Sequence, residues 1–172
     1  MAKERSQAVT MHGTPLTLVG PELAVGDPAP DFTLCDNDLK PVRLQDSKGR
    51  VRLLTVVPSL DTSVCDTMAR RFNEEVVGLS EDLVVYTISA DLPFAQKRWC
   101  GAAGVERVQT LSDYQEHSFG EAYGLLIKEI KLLARAVLVI NRAGNIVYLE
   151  RVKELTDEPD YGAALEAVKK LL

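Results

Sequence analysis

The 172-residue sequence lacks the features that mark several common protein classes. Its two histidines lie far along the chain from each of its three cysteines, and no Cys-x-x-Cys occurs, so a metal site is disfavoured. Three cysteines are an odd number and too few for a disulfide scaffold. The formal net charge is −5 without any lysine or arginine run, which argues against a nucleic-acid or anionic-membrane partner.

Long apolar runs and nucleotide-binding motifs are also missing. No stretch approaches the roughly 20 apolar residues of a membrane span. The polar residues 1–7 are not followed by an apolar signal core, so a soluble cytoplasmic protein is expected. No Gly-x-Gly-x-x-Gly occurs and no bound cofactor is expected. The length favours a single domain over residues 9–172, preceded by a disordered tail over residues 1–8.

The most informative stretch is residues 58–65, which connects a predicted strand to a predicted helix. Residues 51–57 are apolar and rich in β-branched side chains, which predicts a buried strand. Residues 66–77 place Met68, Phe72 and Val76 about one helical turn apart, which predicts a helix.

Cys65 therefore falls in the first turn of that helix, with Thr62 or Ser63 as its N-cap and Ser63 with Asp66 as a capping box. Free N–H groups and the helix dipole stabilise an anion there, including a thiolate. Position alone leaves open whether Cys65 is reactive or a small buried hydrophobe.

The rest of the chain predicts an α/β protein. Strand, helix and strand over residues 51–89 form a βαβ crossover with parallel strands. Before the crossover, the sequence predicts a hairpin over residues 9–20 and strands over 32–35 and 42–44. After it come a helix capped by Asp91 and stopped by Gly101, a strand over 108–111, and a helix capped by Ser112 with Gln115. The last predicted elements are an exposed strand or loop over 125–133, a hairpin of 135–140 with 146–149, and a helix that starts within 156–159.

Three separated motifs resemble those of one enzyme family. Pro58, Thr62 and Cys65 fill the pattern Pro-x-x-x-Thr-x-x-Cys, which resembles the peroxidatic motif of the peroxiredoxins. Residues 89–100 resemble the resolving-cysteine segment of bacterial thiol peroxidases, and residues 133–137 resemble their active-site arginine strand. From about residue 9 to its end, the sequence resembles a bacterial thiol peroxidase, an atypical two-cysteine peroxiredoxin. The resemblance implies a thioredoxin-like fold with an added N-terminal β-hairpin.

The same resemblance implies a reaction cycle. The Cys65 thiolate would attack hydrogen peroxide or an alkyl hydroperoxide and become a sulfenic acid. Cys100 would resolve that acid as a disulfide within the same subunit, and thioredoxin would reduce the disulfide. The resemblance also implies a homodimer.

Three further residues receive roles from the resemblance, and each has a simpler alternative. The Arg135 guanidinium would stabilise the thiolate and bond the peroxide oxygens, whereas the alternative is a strand residue that reaches solvent. The Thr62 hydroxyl would bond the thiol, the thiolate or the peroxide, or only cap the helix. Pro58 would shield the thiolate, or only end the strand.

The other two cysteines are interpreted differently from each other. Cys100 is the predicted resolving residue, and its alternative is a buried helix cysteine. Cys35 is interpreted as structural, with a surface thiol as the alternative. A disulfide requires Cα atoms within about 7 Å, and two successive crossover helices are expected to hold Cys65 and Cys100 farther apart. We therefore predict that the first turn of the Cys65 helix, the Cys100 helix, or both unravel in each cycle.

Two other functions compete with the peroxidase. A thiol–disulfide exchange protein on the same fold is disfavoured because no second cysteine follows Cys65 in a Cys-x-x-Cys. A redox sensor or binding module, switched by a Cys65–Cys100 disulfide, is the other alternative. Catalytic turnover of peroxide separates the first function from the other two.

Overall fold

The computed structural model describes residues 2–105 and 107–172. The strands of this part of the chain are β1 Glu4–Met11, β2 Thr14–Val19, β3 Thr33–Cys35, β4 Pro41–Arg43, β5 Val51–Val56, β6 Leu83–Ser89, β7 Gln109–Ser112, β8 Leu126–Ile127, β9 Ala136–Ile140 and β10 Ile146–Arg151. The helices are α1 Ser63–Val76, α2 Pro93–Ala103, α3 Ser118–Tyr123 and α4 Tyr161–Lys169, with a 3₁₀ turn at Leu44–Ser47.

The larger sheet has seven strands in the order β10-β9-β5-β6-β7-β3-β4. β5, β6 and β7 are parallel neighbours, as the predicted crossover requires, and β9 pairs antiparallel with β5. All six residues of β5 are buried, because the strand lies inside the sheet and is covered on both faces. The predicted hairpin of β9 and β10 is also present.

Side chains that alternate along β5 enter two separate cores. Leu53 packs with α1, α4 and Trp99 of α2 on one face of the sheet. Leu54 packs with α3, β8 and the N-terminal hairpin on the other face. The helices that carry Cys65 and Cys100 therefore share one face, while the hairpin and α3 cover the opposite one.

Helix α1 begins at Ser63, directly after one of the two predicted N-cap residues. Its apolar positions Met68, Phe72 and Val76 are buried, as predicted. Thr62 is the N-cap by its backbone, but its side chain makes no capping hydrogen bond. The capping box predicted for Ser63 and Asp66 is absent, because the Asp66 carboxylate accepts hydrogen bonds from other side chains.

The prediction of a disordered tail over residues 1–8 is wrong for residues 4–8, which belong to β1. Glu4 pairs with Val19, and Arg5 pairs with Leu18 of β2. The Arg5 guanidinium also donates to the carbonyl oxygen of Gly20. Tertiary contacts thus order a polar segment that has no apolar periodicity of its own.

Helix α2 starts and ends beyond the predicted residues. Its N-cap is Leu92 rather than Asp91, whose carboxylate is bonded to the loop after β5. The helix continues through Gly101 and ends at Ala103, followed by the C-cap Gly104, which adopts the left-handed conformation with φ of 67°. Glycine is tolerated inside a helix at a modest cost, so the first glycine did not stop it.

Helix α3 is not capped by Ser112, which is the last residue of β7. The side chain of Asp113 performs the capping function instead: its carboxylate accepts the N–H groups of Phe119 and Gly120 at 3.1 and 2.8 Å. Burial of Asp113 raises the pKa of its carboxyl group, and the two backbone hydrogen bonds oppose that shift.

The segment after α3 also differs from its prediction. The exposed strand or loop expected over residues 125–133 contains the short strand β8, and Leu125, Ile127 and Leu133 are buried against the hairpin-side core. Helix α4 starts at Tyr161, later than predicted, with the Asp160 carboxylate as its N-terminal cap. Among the described residues, no helix is long and apolar enough to cross a membrane.

Candidate active site

Cys65 lies in the first turn of α1, at the edge of the sheet where the parallel strands end. The Cys65 side chain is completely buried. Its sulfur is a free thiol. The sequence-based placement of Cys65 at a helix start is therefore correct, and the loop over residues 57–62 carries the chain from β5 to this helix.

Arg135 is buried directly beside Cys65. Its Nη2 lies 3.3 Å from the Cys65 Sγ, and its Nη1 lies 3.6 Å from the Met68 Sδ. Its Nε and Nη2 also donate to the carbonyl oxygen of Leu155, at 3.1 and 2.9 Å. Only 2% of Arg135 is exposed, which excludes the alternative of a strand residue reaching solvent.

Among the described residues, no carboxylate forms a hydrogen bond or ion pair with Arg135. A buried cation is costly unless an anion compensates its charge. The Cys65 sulfur is instead the group that lies beside the guanidinium and accepts a hydrogen bond from it.

A cavity of about 310 Å³ opens at this point. Arg135 is in its wall and also touches the Cys65 sulfur, so the guanidinium joins the cavity to the buried cysteine. The residues that line the cavity come from the tip of the β1–β2 hairpin, the loop before α1, the first turn of α1, the residue before β9 and the segment after β10: Met11, His12, Pro58, Thr62, Ser63, Val64, Arg135, Leu155 and Thr156.

Pro58 and Thr62 both line this cavity. The Thr62 hydroxyl donates to the Ser59 carbonyl oxygen at 3.0 Å. No hydrogen bond joins Thr62 to the Cys65 sulfur among the described contacts. Because its proton is directed to Ser59, the hydroxyl has lone pairs free to accept a hydrogen bond from a molecule in the cavity.

Asp91 holds the loop before Cys65, a contact that sequence reasoning missed. Its carboxylate accepts the Ser59 hydroxyl at 2.7 Å, the Leu60 N–H at 2.8 Å and the Ser89 hydroxyl at 2.7 Å. Asp91 follows β6 and the loop follows β5. Parallel neighbouring strands end at the same edge of a sheet. The position of Asp91 directly after β6 could therefore have predicted its contact with the loop after β5.

Cys100 is half-buried near the end of α2 and has a separate set of partners. Its sulfur lies 3.3 Å from the Thr110 hydroxyl and accepts from the Asn37 amide at 3.8 Å. The Thr110 hydroxyl donates to the side-chain amide oxygen Oδ1 of Asn37 at 2.8 Å, which closes a ring of three hydrogen bonds. Cys100 is a free thiol. The structure brings Pro58, Thr62, Cys65 and Arg135 together around the cavity, whereas the Cys100 sulfur shares none of their hydrogen bonds.

Cys35 lies at the end of β3 and is buried. Burial, with a smaller contribution from the charge of Asp36, raises the pKa of the Cys35 thiol. A higher pKa lowers the fraction of reactive thiolate, which supports the structural interpretation of this cysteine.

Known proteins with the same architecture identify the family. The Redoxin family model matches residues 24–165. A thiol peroxidase of Halalkalibacterium halodurans is 56% identical over 165 residues, which cover 96% of this chain and 99% of the relative. The chain belongs to the thiol peroxidase family. A thiol peroxidase of Bacillus subtilis is also similar to this family member, at 55% identity over 164 residues that cover 95% of this chain and 98% of the relative.

Solved structures agree with this membership. A peroxiredoxin-like protein from Aquifex aeolicus superposes with a TM-score of 0.91 at 41% identity, covering 96% of this chain and 98% of that one. A thiol peroxidase from Chromobacterium violaceum has the same fold, with a TM-score of 0.85 at 22% identity and coverage of 94% and 95%. The α/β thioredoxin-like fold with an added N-terminal hairpin is thereby confirmed for this thiol peroxidase, an enzyme of the peroxiredoxin type.

Proposed function

We propose that this thiol peroxidase reduces hydrogen peroxide and alkyl hydroperoxides with Cys65 as the peroxidatic residue. The observation that carries the proposal is the 3.3 Å contact between the buried Arg135 guanidinium and the Cys65 sulfur, at the wall of a cavity. The guanidinium supplies positive charge where the thiolate attacks and where charge develops on the departing oxygen.

In the first step, the Cys65 thiolate attacks one oxygen of ROOH. The S–O bond forms as the O–O bond breaks, and the departing RO⁻ takes a proton and leaves as ROH. Cys65 is oxidised to a sulfenic acid and the peroxide is reduced. Thr62 accepts a hydrogen bond from the peroxide hydroxyl, Arg135 donates to the peroxide oxygens, and Pro58 shields the sulfur from water.

In the second step, the Cys100 thiol condenses with the Cys65 sulfenic acid. An S–S bond forms and one water molecule is released. The two sulfurs have separate hydrogen-bond partners in this structure. The predicted unravelling of the first turn of α1, of α2, or of both stays a prediction, which crystal structures of the dithiol and disulfide forms would test.

In the third step, the dithiol of a thioredoxin reduces the Cys65–Cys100 disulfide by exchange. We also propose that the enzyme acts in the cytoplasm, where reducing conditions favour this donor, and that it forms a homodimer. Sedimentation of the reduced enzyme tests the last point. A monomer at micromolar concentration would overturn it.

The cavity wall favours organic hydroperoxides over hydrogen peroxide as better-bound substrates. Met11, Val64 and Leu155 give it an apolar rim, which was not located from the sequence. Burying an alkyl or aryl group against such a rim is favourable by about 25 cal/mol per Å² of apolar area. We therefore expect a lower KM for cumene hydroperoxide than for hydrogen peroxide.

The deciding experiment measures NADPH consumption with cumene hydroperoxide, thioredoxin and thioredoxin reductase. Wild type is expected to turn over, Cys65→Ser is expected to lose all activity, and Cys100→Ser is expected to consume one equivalent of peroxide and stop. Cys35→Ser is the matched control and is expected to retain activity. Stoichiometric oxidation of wild type without turnover would instead favour the redox sensor.

A further inference from the structure

One contact connects the two helices that carry the reacting cysteines. Trp99 Nε1 donates to the Asp66 carboxylate at 2.6 Å. Asp66 directly follows Cys65 in α1, and Trp99 directly precedes Cys100 in α2. Within the part of the chain that the structure describes, this is the one side-chain hydrogen bond between α1 and α2.

Arg70 completes this contact from the next turn of α1. Its Nε lies 2.9 and 3.0 Å from the two oxygens of the Asp66 carboxylate. Its guanidinium carbon lies 5.8 Å from the centre of the Trp99 ring, within range of a cation–π interaction. We use the term interhelix clasp for Asp66, Arg70 and Trp99.

The clasp opposes the step that the proposed function requires. Cys65 and Cys100 form a disulfide only if their backbones approach, and each cysteine moves with its sequence neighbour. Unravelling α1 at Cys65 or α2 at Cys100 therefore displaces Asp66 or Trp99. The hydrogen bond between them is charge-assisted. The Asp66 side chain is 35% exposed, but Trp99 is only 9% exposed, so breaking the bond costs free energy until water reaches the Trp99 N–H.

We propose that Asp66 and Trp99 are positioning residues that set the rate of disulfide formation. This inference rests on the proposed roles of Cys65 and Cys100. While the clasp is closed, the Cys65 sulfenic acid stays beside Arg135 at the wall of the cavity, where a second hydroperoxide that binds in the cavity can react with it. That reaction oxidises the sulfenic acid to a sulfinic acid and reduces ROOH to ROH. The clasp thus sets the balance between resolution and overoxidation.

The test uses Trp99→Phe, which keeps an aromatic ring and removes the N–H donor. Rapid quenching with a thiol-alkylating reagent and mass spectrometry follows the conversion of the Cys65 sulfenic acid to the disulfide after one equivalent of peroxide. We expect the first-order rate constant to rise about three- to tenfold. The second-order rate constant for peroxide attack should stay within about twofold, and the peroxide concentration that half-inactivates the enzyme should rise with the first-order constant.

Asp66→Asn is a second variant that weakens the same hydrogen bond, from the acceptor side. It keeps the side-chain shape and replaces a charged acceptor with a neutral one. The chain contains one tryptophan, so Trp99 emission reports on the clasp directly in this variant and in wild type. Amide hydrogen exchange of residues 63–66 in the reduced enzyme is expected to accelerate by a factor similar to that of disulfide formation.

Lys97→Ala is the matched control within α2. Lys97 forms an ion pair with Asp38, and their side chains are 65% and 66% exposed, so its loss should change the rate constant by less than about twofold. An unchanged or slower resolution step in both clasp variants would overturn the clasp alone. If wild-type Cys65 forms no sulfenic acid, the proposed function and the clasp fail together.

Discussion

At the scale of single residues, the site depends on one buried cation next to one buried sulfur. Arg135 donates twice to the Leu155 carbonyl oxygen, which fixes the guanidinium plane, and its remaining donors face Cys65 and Met68. A rigid planar guanidinium can bond both groups from fixed positions, which a flexible ammonium group cannot do.

Arg135→Lys is therefore expected to lose function while the protein remains folded. Lysine keeps the charge but cannot hold the Leu155 carbonyl and the sulfur together in one plane. We expect the second-order rate constant with cumene hydroperoxide to fall about 10²-fold, as for loss of one preorganised donor. Stopped-flow measurement of peroxide consumption tests this. A loss below about threefold would contradict the proposed role.

At the scale of elements, two carboxylates attach peripheral segments to the sheet. Asp113 holds the start of α3. Glu154 holds the tip of the N-terminal hairpin, because its carboxylate accepts the N–H of Gly13 at 2.8 Å and the hydroxyl of Thr10 at 3.1 Å. Both contacts connect residues that lie on different elements.

Asp113→Ala should destabilise the protein. The substitution leaves the N–H groups of Phe119 and Gly120 buried without acceptors, and each costs about 1–3 kcal/mol. We expect the free energy of unfolding in urea to fall by about 2–4 kcal/mol. Asp157→Ala, at an exposed position, is the control and should change it by less than about 0.5 kcal/mol. An equal effect in the two variants would contradict the capping role.

The Glu154 contacts should weaken in acid. Hydrogen bonds from the N–H of Thr156, the N–H of Gly13 and the Thr156 hydroxyl lower the pKa of Glu154 to about 2 from 4.5. A lowered pKa in the folded state means that the stabilisation is complete above about pH 4.5 and is lost as pH falls towards 2.

Amide hydrogen exchange in the hairpin measures this change, after correction for the intrinsic pH dependence. Protection of residues 9–16 should fall as the pH drops from about 4.5 towards 2 in wild type. Glu154→Gln should show reduced protection already at pH 7 and little further change in acid. Identical profiles for the two proteins would show that Glu154 does not anchor the hairpin.

At the scale of the whole molecule, β5 and the strands beside it separate two cores. Trp99 lies on the face with α1 and α4, whereas the hairpin and α3 cover the other face. Both cores share the same sheet, so we propose that the folded chain is one domain, with residues 4–8 included in it.

One domain implies one unfolding transition. Trp99 fluorescence reports on the face with α1, and far-ultraviolet circular dichroism reports on all elements. We expect urea unfolding curves from the two probes to coincide for the reduced enzyme. Separate midpoints would show that the two cores unfold independently.

Local patterns were sufficient for part of this protein. The apolar strand β5, the four-residue spacing in α1 and the crossover to β6 depend on neighbours in sequence, so they could be predicted. Helix ends were less predictable. Gly101 did not stop α2 and Asp113 replaced Ser112 as the cap of α3, because the final choice among nearby glycines and polar residues depends on packing against other elements.

The sequence by itself determined the α/β order, the position of Cys65 at a helix start and, through its motifs, the family. The tertiary structure decided which distant groups meet: Arg135 with Cys65, Trp99 with Asp66, and Glu154 with Gly13, which are 70, 33 and 141 positions apart. Such contacts depend on how the sheet brings its strand ends together and on which polar groups remain buried without a partner. Local periodicity contains no information on either.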